Sequence, residues 1–413
     1  MPVSDRSPLA LTCADCGLTQ LVPPLPPRAL AECPRCDRVL GRRAATHLGL
    51  GFAAAVAALA LLPAAALLPF MTSTIRHLVF EETRLITSVP VIYRDVWWPF
   101  ALGFLVFAIV FPAVRSLLLV LVLGGLRWGW PVPPSGRVIG RLFRWHQELA
   151  IWSMTDVVVV AGVVAYYRAS VPAEVEVLIG AWCYLAVALL SALADRSLDR
   201  RAVWNAIYPD PTAPPAGAAV SCGTCELVVP RGAPGEPCPR CAATLDRDLV
   251  RRYPPALAAL AAALPLALPA YLYAVMVNDR LTGLWEHTIV GTARLIAERG
   301  YWPLALVLLV AGVAVPVIEL AGLTWLLARV RFPERTGLVR RTRVYRLLRD
   351  LVRWPMVIPF IAATSTPIVD FPGIDDIIAG PGATPFFLLI VLVMLTVRIF
   401  EPRLMWKAAG EAA

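Results

Sequence analysis

Eight of the nine cysteines fall in four Cys-x-x-Cys pairs, which form two clusters. The clusters contain Cys13, Cys16, Cys33 and Cys36, and then Cys222, Cys225, Cys238 and Cys241. Two such pairs supply the four thiolates of a tetrahedral Zn²⁺ site with Zn–S bonds of about 2.3 Å. In both clusters the second pair is Cys-Pro-Arg-Cys, where proline fixes φ after the first ligand. The spacing predicts two structural zinc ribbons, because four thiolates leave no open position on the metal.

Disulfides and iron are the alternatives for these cysteines. The residues before Cys13 contain no apolar segment of the signal-peptide type. We therefore expect a reducing compartment and a bound metal in place of disulfides. A rubredoxin-like iron site uses the same four thiolates and would carry electrons, so it stays an open alternative. Cys183 stands alone in an apolar run and is most simply a small buried hydrophobe.

The composition predicts a polytopic, all-α membrane protein. Of 413 residues, 58% are hydrophobic and 16% charged, and the mean hydropathy is +0.68. Several uncharged runs reach the ~20 residues that a helix needs to cross a bilayer. We predict eight spans, four in each half. They fall at 48–75, 96–114, 149–167, 177–194, 253–278, 300–318, 354–369 and 377–397, and the second and sixth continue beyond Arg115 and Glu319.

Arginine predicts the orientation of these spans. The segment 329–353 contains nine arginines and two acidic residues, and 127–144 contains four arginines and no acidic residue. Cationic loops favour the cytoplasmic side. An even number of spans separates these loops from both cysteine clusters. The N-terminus and both ribbons are therefore predicted to be cytoplasmic.

The chain repeats itself at an interval of about 200 residues. Trp98-Pro99 recurs as Trp302-Pro303, 204 residues later, and Asp199–Trp204 recurs as Glu401–Trp406, 202 residues later. Four predicted spans separate the copies, so the repeats are parallel and not inverted. The expected domains are a zinc ribbon at 8–42, a transmembrane domain at 47–207, a Pro-rich linker at 208–217, a second ribbon at 218–247 and a second transmembrane domain at 252–407.

Three charged residues interrupt the apolar runs: Arg115, Asp156 and Glu319. Ionisable groups inside a membrane usually face protein or water. Arg115 either reaches the membrane interface or has an interior partner, and Asp156 is expected to pair with it. Glu319 occupies the repeat position of Arg115 and has no evident basic partner. A buried, unpaired carboxylate favours its protonated form, so we predict that Glu319 takes up a proton.

The sequence argues against enzymes and against nucleic-acid binding. The only lysine is Lys407, which lies outside any Walker A pattern, so no P-loop ATPase is expected. Serine-hydrolase and zinc-protease motifs are absent, and four scattered histidines form no evident haem site. Basic residues flank the spans without an RNA or DNA motif. We predict no catalytic residues and no nucleic-acid partner.

The ordered set of motifs resembles one known family. Twin cysteine ribbons each precede four predicted spans, the first half contains Trp-Ser-Met-Thr-Asp-Val at 152–157, and both halves end in acid-x-Arg-x-x-Trp. Together these are similar to the paraquat-inducible protein A family, which includes the lipophilic-envelope-spanning A transporters. The chain departs from that pattern in the second half, where Trp-Pro-Met-Val-Ile occurs at 354–358. The basic residue often found at the Pro-x-x-Lys position is Arg115 in one half and is replaced by Glu319 in the other.

The resemblance implies a function and a partner. It implies a multi-pass protein of a Gram-negative inner membrane that works with a periplasm-spanning, mammalian-cell-entry (MCE) protein. Phospholipid or another lipophilic molecule would pass between the membrane and the MCE tunnel. The proton uptake predicted for Glu319 would couple this transport to the proton gradient. By position, the eight clustered cysteines would be the ribbon ligands, and Asp156 would be the acid of the first-half motif. A membrane redox protein and a non-transporting scaffold for MCE rings are the alternatives.

Overall fold

The computed structural model describes most of the chain in twelve segments. These are residues 9–23, 29–42, 48–75, 78–93, 98–128, 132–170, 174–213, 219–230, 235–245, 249–280, 283–369 and 375–410. Residues 214–217 of the expected Pro-rich linker lie outside them.

Within the described residues, each half contains eight α-helices in the same order. Those of the first half are α1 (Leu48–Leu67), α2 (Leu85–Val91), α3 (Trp98–Leu105), α4 (Phe111–Arg127), α5 (Val132–Glu148), α6 (Thr155–Ala169), α7 (Ile179–Ser197) and α8 (Arg200–Ile207). Those of the second half are α9 (Tyr253–Leu272), α10 (Ile289–Glu298), α11 (Trp302–Leu309), α12 (Val315–Arg331), α13 (Leu338–Leu351), α14 (Val357–Val369), α15 (Ala383–Ile399) and α16 (Arg403–Ala408). The structure therefore contains the parallel repeat.

Short antiparallel strands occur at both ends of the spans. The cysteine clusters lie beside the hairpins β1 (Leu9–Thr12) with β2 (Thr19–Val22), β3 (Leu30–Glu32) with β4 (Val39–Arg42), and β8 (Ala219–Ser221) with β9 (Val228–Pro230). At the opposite ends lie two three-stranded sheets, ordered β6-β5-β7 and β11-β10-β12. Their strands are β5 (Met71–Ile75), β6 (Leu78–Thr83), β7 (Glu174–Val177), β10 (Met276–Arg280), β11 (Gly283–His287) and β12 (Asp375–Ala379).

Six helical stretches of the described chain are long and apolar enough to cross a membrane. They are Leu48–Leu67, Trp98–Arg127, Arg137–Tyr167, Ile179–Ser197, Val250–Leu272 and Trp302–Arg331. The protein is therefore a mostly helical, multi-pass membrane protein. Two further helices, α14 and α15, lie where spans seven and eight are predicted, but they have 13 and 17 residues.

The sheets explain why several predicted spans are too long at one end. Residues 71–75, 276–278 and 377–379 were expected in spans one, five and eight, but they form parts of β5, β10 and β12. These residues are mainly apolar, so hydropathy alone does not separate them from the helices. Pairing with neighbouring strands satisfies their backbone hydrogen bonds outside a helix.

The second span of each half contains the same irregularity. Five residues form a π-helix at Val106–Val110 and again at Val310–Ala314, 204 residues later. The two segments join α3 to α4 and α11 to α12. A tyrosine hydroxyl donates to a carbonyl oxygen within each: Tyr184 Oη to Ala108 O at 2.8 Å, and Tyr271 Oη to Gly312 O at 3.0 Å. A π-helix inside an α-helix frequently marks a functional position.

Three helix pairs organise the membrane part. Helix α1 packs against α7 in the first half, and α9 packs against α15 in the second. Helix α6 packs against α14, which joins the two halves. One large apolar cluster extends through both halves, and a second, smaller cluster lies beneath the second cysteine cluster.

Candidate metal centres and membrane-embedded charges

The eight paired cysteines converge on two sites. In each cluster, all four sulfur atoms lie within 4.8 Å of one another, and all eight thiols are free and buried. Sulfur–sulfur distances of 3.5–3.6 Å separate the pairs Cys13–Cys36, Cys16–Cys33, Cys222–Cys241 and Cys225–Cys238. A tetrahedral site with 2.3 Å bonds separates its sulfurs by about 3.8 Å. The donor set fits a closed thiolate metal site, and both Zn²⁺ and iron suit that geometry.

All four Cys-x-x-Cys pairs close the same tight turn. The residue after the second cysteine donates its backbone N–H to the carbonyl oxygen of the first at 2.8–3.0 Å, and it has a positive φ. These residues are Gly17, Asp37, Glu226 and Ala242. The last three adopt the left-handed conformation without being glycine, at a cost of roughly 1–2 kcal/mol each. The backbone is therefore held in a strained turn that presents two sulfurs to one point.

The arginine of each Cys-Pro-Arg-Cys pair ties the two pairs of its cluster together. Arg35 Nη1 donates to the carbonyl oxygen of Cys16 at 3.5 Å, and Arg240 Nη1 donates to that of Cys225 at 3.4 Å. Arg240 is only 1% exposed, and it also forms an ion pair with Asp210 at 2.7 Å. These arginines are not metal ligands, so ligand spacing does not predict their role. Their identical position in both clusters is the sequence feature that indicates it.

The first cysteine module, formed by β1–β4 and its two cysteine turns, packs against the second half of the chain. Arg346 on α13 donates to a carboxylate oxygen of Asp15 and to the carbonyl oxygen of Cys36, both at 2.7 Å. Its neighbour Arg343 pairs with Asp37 at 2.6 Å. The guanidinium of Arg35 lies 5.0 Å from the ring centre of Trp406, near the C-terminus.

The second cysteine module, formed by β8, β9 and its two cysteine turns, packs against the first half. Its cysteines share an apolar cluster with Phe143 of α5 and Trp204 of α8. Gly140 of α5 is so close to this module that an added Cβ would lie 1.7 Å from the carbonyl oxygen of Arg240. The packing is therefore partly crossed, because each half packs against the module that does not directly precede it. Each module also contacts the half that follows it, since Arg201 donates to the carbonyl oxygen of Leu40 at 2.7 Å and Arg403 to Ser221 Oγ at 3.3 Å.

Arg115 has a partner that differs from the expected one. Two hydrogen bonds of 2.8 Å join its Nη2 to both carboxylate oxygens of Asp195, near the end of α7. His146 Nδ1 lies 3.0 Å from the backbone carbonyl oxygen of Arg115. The expected pair of Arg115 with Asp156 is therefore wrong. Asp195 directly follows an apolar run, so in the sequence it looks like the boundary of a span and not like part of a site.

Asp156 pairs across the two halves. It lies at the beginning of α6, and its carboxylate is 3.0 Å from a guanidinium nitrogen of Arg353. The two side chains are 45% and 37% exposed, so Asp156 is not the buried interior acid that the apolar run predicted. A 3₁₀ turn at Leu149–Ile151 interrupts the helix before α6. Close packing of α6 on α14 brings Asp156 to the second half, which the repeat alone does not reveal.

Glu319 lies on α12 and is buried without a charged partner. It is 1% exposed, and its Oε1 atom has no hydrogen-bond partner among the described residues. The three predicted charges are therefore not brought together into one network. Arg115 and Asp156 form separate ion pairs, and Glu319 forms none within the described chain.

Comparison with known proteins identifies relatives along nearly the whole chain. Intermembrane transport protein PqiA of Escherichia coli K12 is 26% identical over 419 residues, covering 97% of this chain and 96% of that protein. A probable intermembrane transport protein of Haemophilus influenzae is 27% identical, covering 96% and 95%. Lipophilic envelope-spanning tunnel protein A of E. coli K12 is 24% identical, covering 96% and 91%. No solved structure matches the chain.

A family model matches each repeated half separately. It is described as paraquat-inducible protein A, and it matches residues 51–208 and 254–410. The two matched segments contain the membrane helices, the paired π-helices and the acid-x-Arg-x-x-Trp pattern at the end of each half. This chain belongs to the paraquat-inducible protein A family.

Proposed function

We propose that this protein is an inner-membrane transport subunit and not an enzyme. It moves phospholipid or another lipophilic molecule between the inner membrane and a periplasm-spanning MCE protein. The observation that carries the proposal is its similarity, over 97% of the chain, to a protein named for intermembrane transport. The similarity to a lipophilic envelope-spanning tunnel protein supports a lipophilic cargo.

The two cysteine modules are proposed to hold structural Zn²⁺ on the cytoplasmic side of the membrane. The closed set of four buried thiolates supports a structural role, since no coordination position remains for a substrate. The arginine-rich segments at the same ends of the spans support the cytoplasmic side. The three-stranded sheets then face the periplasm, where the MCE partner would bind.

Glu319 is proposed to couple transport to protons. Its buried carboxylate has an oxygen without a hydrogen-bond donor in the described chain. Burial without a partner favours the neutral acid, so a change in its surroundings changes its proton occupancy. Arg115 and Asp156 are proposed as positioning residues, because each holds an ion pair between spans or between halves.

A reconstituted transfer assay tests the transport proposal. Proteoliposomes containing the full chain and fluorescent phospholipid are mixed with a purified MCE-domain protein, and lipid bound to that protein is measured. We expect transfer that depends on the chain and on a proton gradient. Glu319→Gln is expected to abolish the dependence on the gradient while Glu298→Gln, on the exposed surface of α10, retains it. Transfer by Glu319→Gln that still follows the gradient would contradict the coupling role.

A redox protein is the second candidate, because the sulfur geometry suits iron as well as zinc. Metal analysis of the purified protein separates the two. We expect about two zinc ions per chain and no colour, falling to about one in Cys225→Ser and staying at two in the matched control Cys183→Ser. A red protein with iron in place of zinc would favour electron transfer.

A further inference from the structure

A large polar cavity lies between the two cysteine modules and the adjoining ends of the membrane spans. Its volume is about 1150 Å³, more than the ~300–1,000 Å³ of typical small-molecule sites. Both modules and both halves contribute to its wall. The wall contains nine arginines and seven acidic side chains, so it carries a net positive charge within the described chain.

The cavity lies where the two repeats face each other. Arg196 and Arg398 occupy equivalent positions 202 residues apart, and both line it. At two further positions, an arginine of one half corresponds to an uncharged residue of the other. Arg349 corresponds to Gln147 of the first half, and Arg200 corresponds to a proline of the second, Pro402. Each half therefore supplies an arginine that the other lacks.

Three of these arginines are poorly neutralised by protein carboxylates. Arg200 donates to the neutral amide oxygen of Gln147 at 2.8 Å. The carboxylate paired with Arg349 is the adjacent Asp350, 3.6 Å away and 72% exposed. Arg196 has no ion pair within 4 Å among the described residues.

Positive charges also oppose one another inside the cavity. Burial lowers the pKa of Arg200, and the neighbouring guanidinium groups of Arg38 and Arg349 lower it further. The carboxylates of Glu226 and Asp195 act in the opposite direction, and the net shift of the Arg200 pKa is downward. A bound anion would relieve this repulsion.

We propose that this cavity binds the phosphate group of an anionic ligand through Arg196, Arg200 and Arg349. A guanidinium presents N–H donors in a planar fork that matches phosphate oxygens. The phosphate belongs either to the headgroup of an anionic phospholipid or to a soluble phosphate ester. The cavity wall includes the end of the fourth span and the residues that follow α15, which is the level at which headgroups lie. If the anion is a lipid headgroup, the proposal rests on the proposed function. If the anion is a soluble phosphate ester, it does not.

Equilibrium binding to the full-length protein tests this site. The protein is placed in nanodiscs of phosphatidylcholine, and binding of fluorescent phosphatidylglycerol is measured. The double variant Arg200→Gln/Arg349→Gln is expected to weaken binding about tenfold or more, since charge-assisted hydrogen bonds are lost. The control Arg340→Gln changes an exposed arginine on the same helix as Arg349 but outside the cavity. It is expected to bind like the unchanged protein.

Glycerol 3-phosphate distinguishes the two sources of the anion. Arginine-dependent binding of glycerol 3-phosphate by a protein that does not bind phosphatidylglycerol supports a soluble ester. Saturable, arginine-dependent binding of phosphatidylglycerol supports a lipid headgroup, whether or not excess glycerol 3-phosphate competes with it. Arg200→Lys/Arg349→Lys is expected to recover part of the affinity, and unchanged metal content and elution volume show that the variants fold.

Equal affinity of the unchanged protein and the double glutamine variant would overturn the site, as would an equal loss in Arg340→Gln. Binding by the unchanged protein of neither phosphatidylglycerol nor glycerol 3-phosphate would also overturn it. The readout is independent of transport. Arginine-dependent binding without any lipid transfer would contradict the proposed function and leave the anion site standing.

Discussion

Arg115 and Glu319 occupy equivalent positions in the two halves, but their surroundings differ. Around Arg115, the structure places the carboxylate of Asp195 and the ring of His146. The repeat equivalents of these two residues are valine and leucine, Val397 and Leu348. The second half therefore has apolar residues at the two positions whose first-half equivalents surround Arg115. This difference explains why one half contains a satisfied ion pair and the other a buried carboxylate without a partner.

At the residue scale, we expect Asp195→Asn to destabilise the protein. The substitution leaves the Arg115 guanidinium, which is mostly buried, without its counter-charge. A loss of about 1–3 kcal/mol is expected for a charged group that loses its hydrogen-bond partner. Thermal unfolding in detergent measures the change. The double variant Arg115→Met/Asp195→Asn should lose less than the sum of the single changes, and strict additivity would show that the pair does not stabilise the fold.

At the scale of elements, the paired π-helices show which features the repeat retains. Both occur at the same register, and a buried carbonyl of each accepts a tyrosine hydroxyl. The tyrosines come from non-equivalent helices, Tyr184 from α7 and Tyr271 from α9. The backbone irregularity is therefore common to both halves, while the side chain that satisfies it differs. A carbonyl left unpaired in a membrane costs several kcal/mol, which explains why a donor is present in each half.

The close approach of the second cysteine module to α5 gives a prediction at the same scale. Gly140→Ala places a Cβ against the carbonyl oxygen of Arg240, so the module has to move away from the helix. We expect a destabilisation of about 1–3 kcal/mol, typical of overpacking, together with faster release of metal from the second site. Release to a chromogenic chelator measures this. Gly49→Ala meets only an arginine side chain at 3.7 Å and should behave like the unchanged protein; equal release rates in the two variants would contradict the contact.

At the scale of the whole molecule, the two cysteine modules join the halves, because each module contacts the half that it does not directly precede. The first module is held by Arg343 and Arg346 of the second half, and the second is held by α5 and α8 of the first. The two modules also contact each other through Arg38 and Glu226, at 3.0 Å. Movement of one half relative to the other therefore has to rearrange these contacts or carry the modules with it.

This arrangement predicts that the linker is dispensable for association. Fragments 1–217 and 218–413, expressed together, should purify as one complex in detergent, because module contacts and the packing of α6 on α14 persist. Adding Arg343→Gln/Arg346→Gln should lower the recovered complex severalfold, since these arginines hold the first module. Arg340→Gln on the same helix is the matched control. Fragments that never copurify would contradict the crossed arrangement.

Local sequence patterns were sufficient to predict the ligand sets, the repeat and the membrane class. Cysteine spacing and hydropathy act over short segments, so the two four-cysteine clusters and the six long apolar helices follow from residues near one another in the chain. Hydropathy does not locate the ends of the spans. Residues 71–75 and 377–379 are uncharged and were expected in spans, but they pair with strands that only the folded chain supplies.

The pairing of the charges and the positions of the modules depend on how the chain packs in three dimensions. Asp195 and Arg353 became the partners of Arg115 and Asp156 through contacts between helices that are distant in sequence. Arg346 reaches Asp15 across 331 positions of the chain. Ion pairs at such separations depend on how helices and halves pack, and a one-dimensional pattern does not contain that packing. The same packing forms the arginine-lined cavity, whose residues have no common motif.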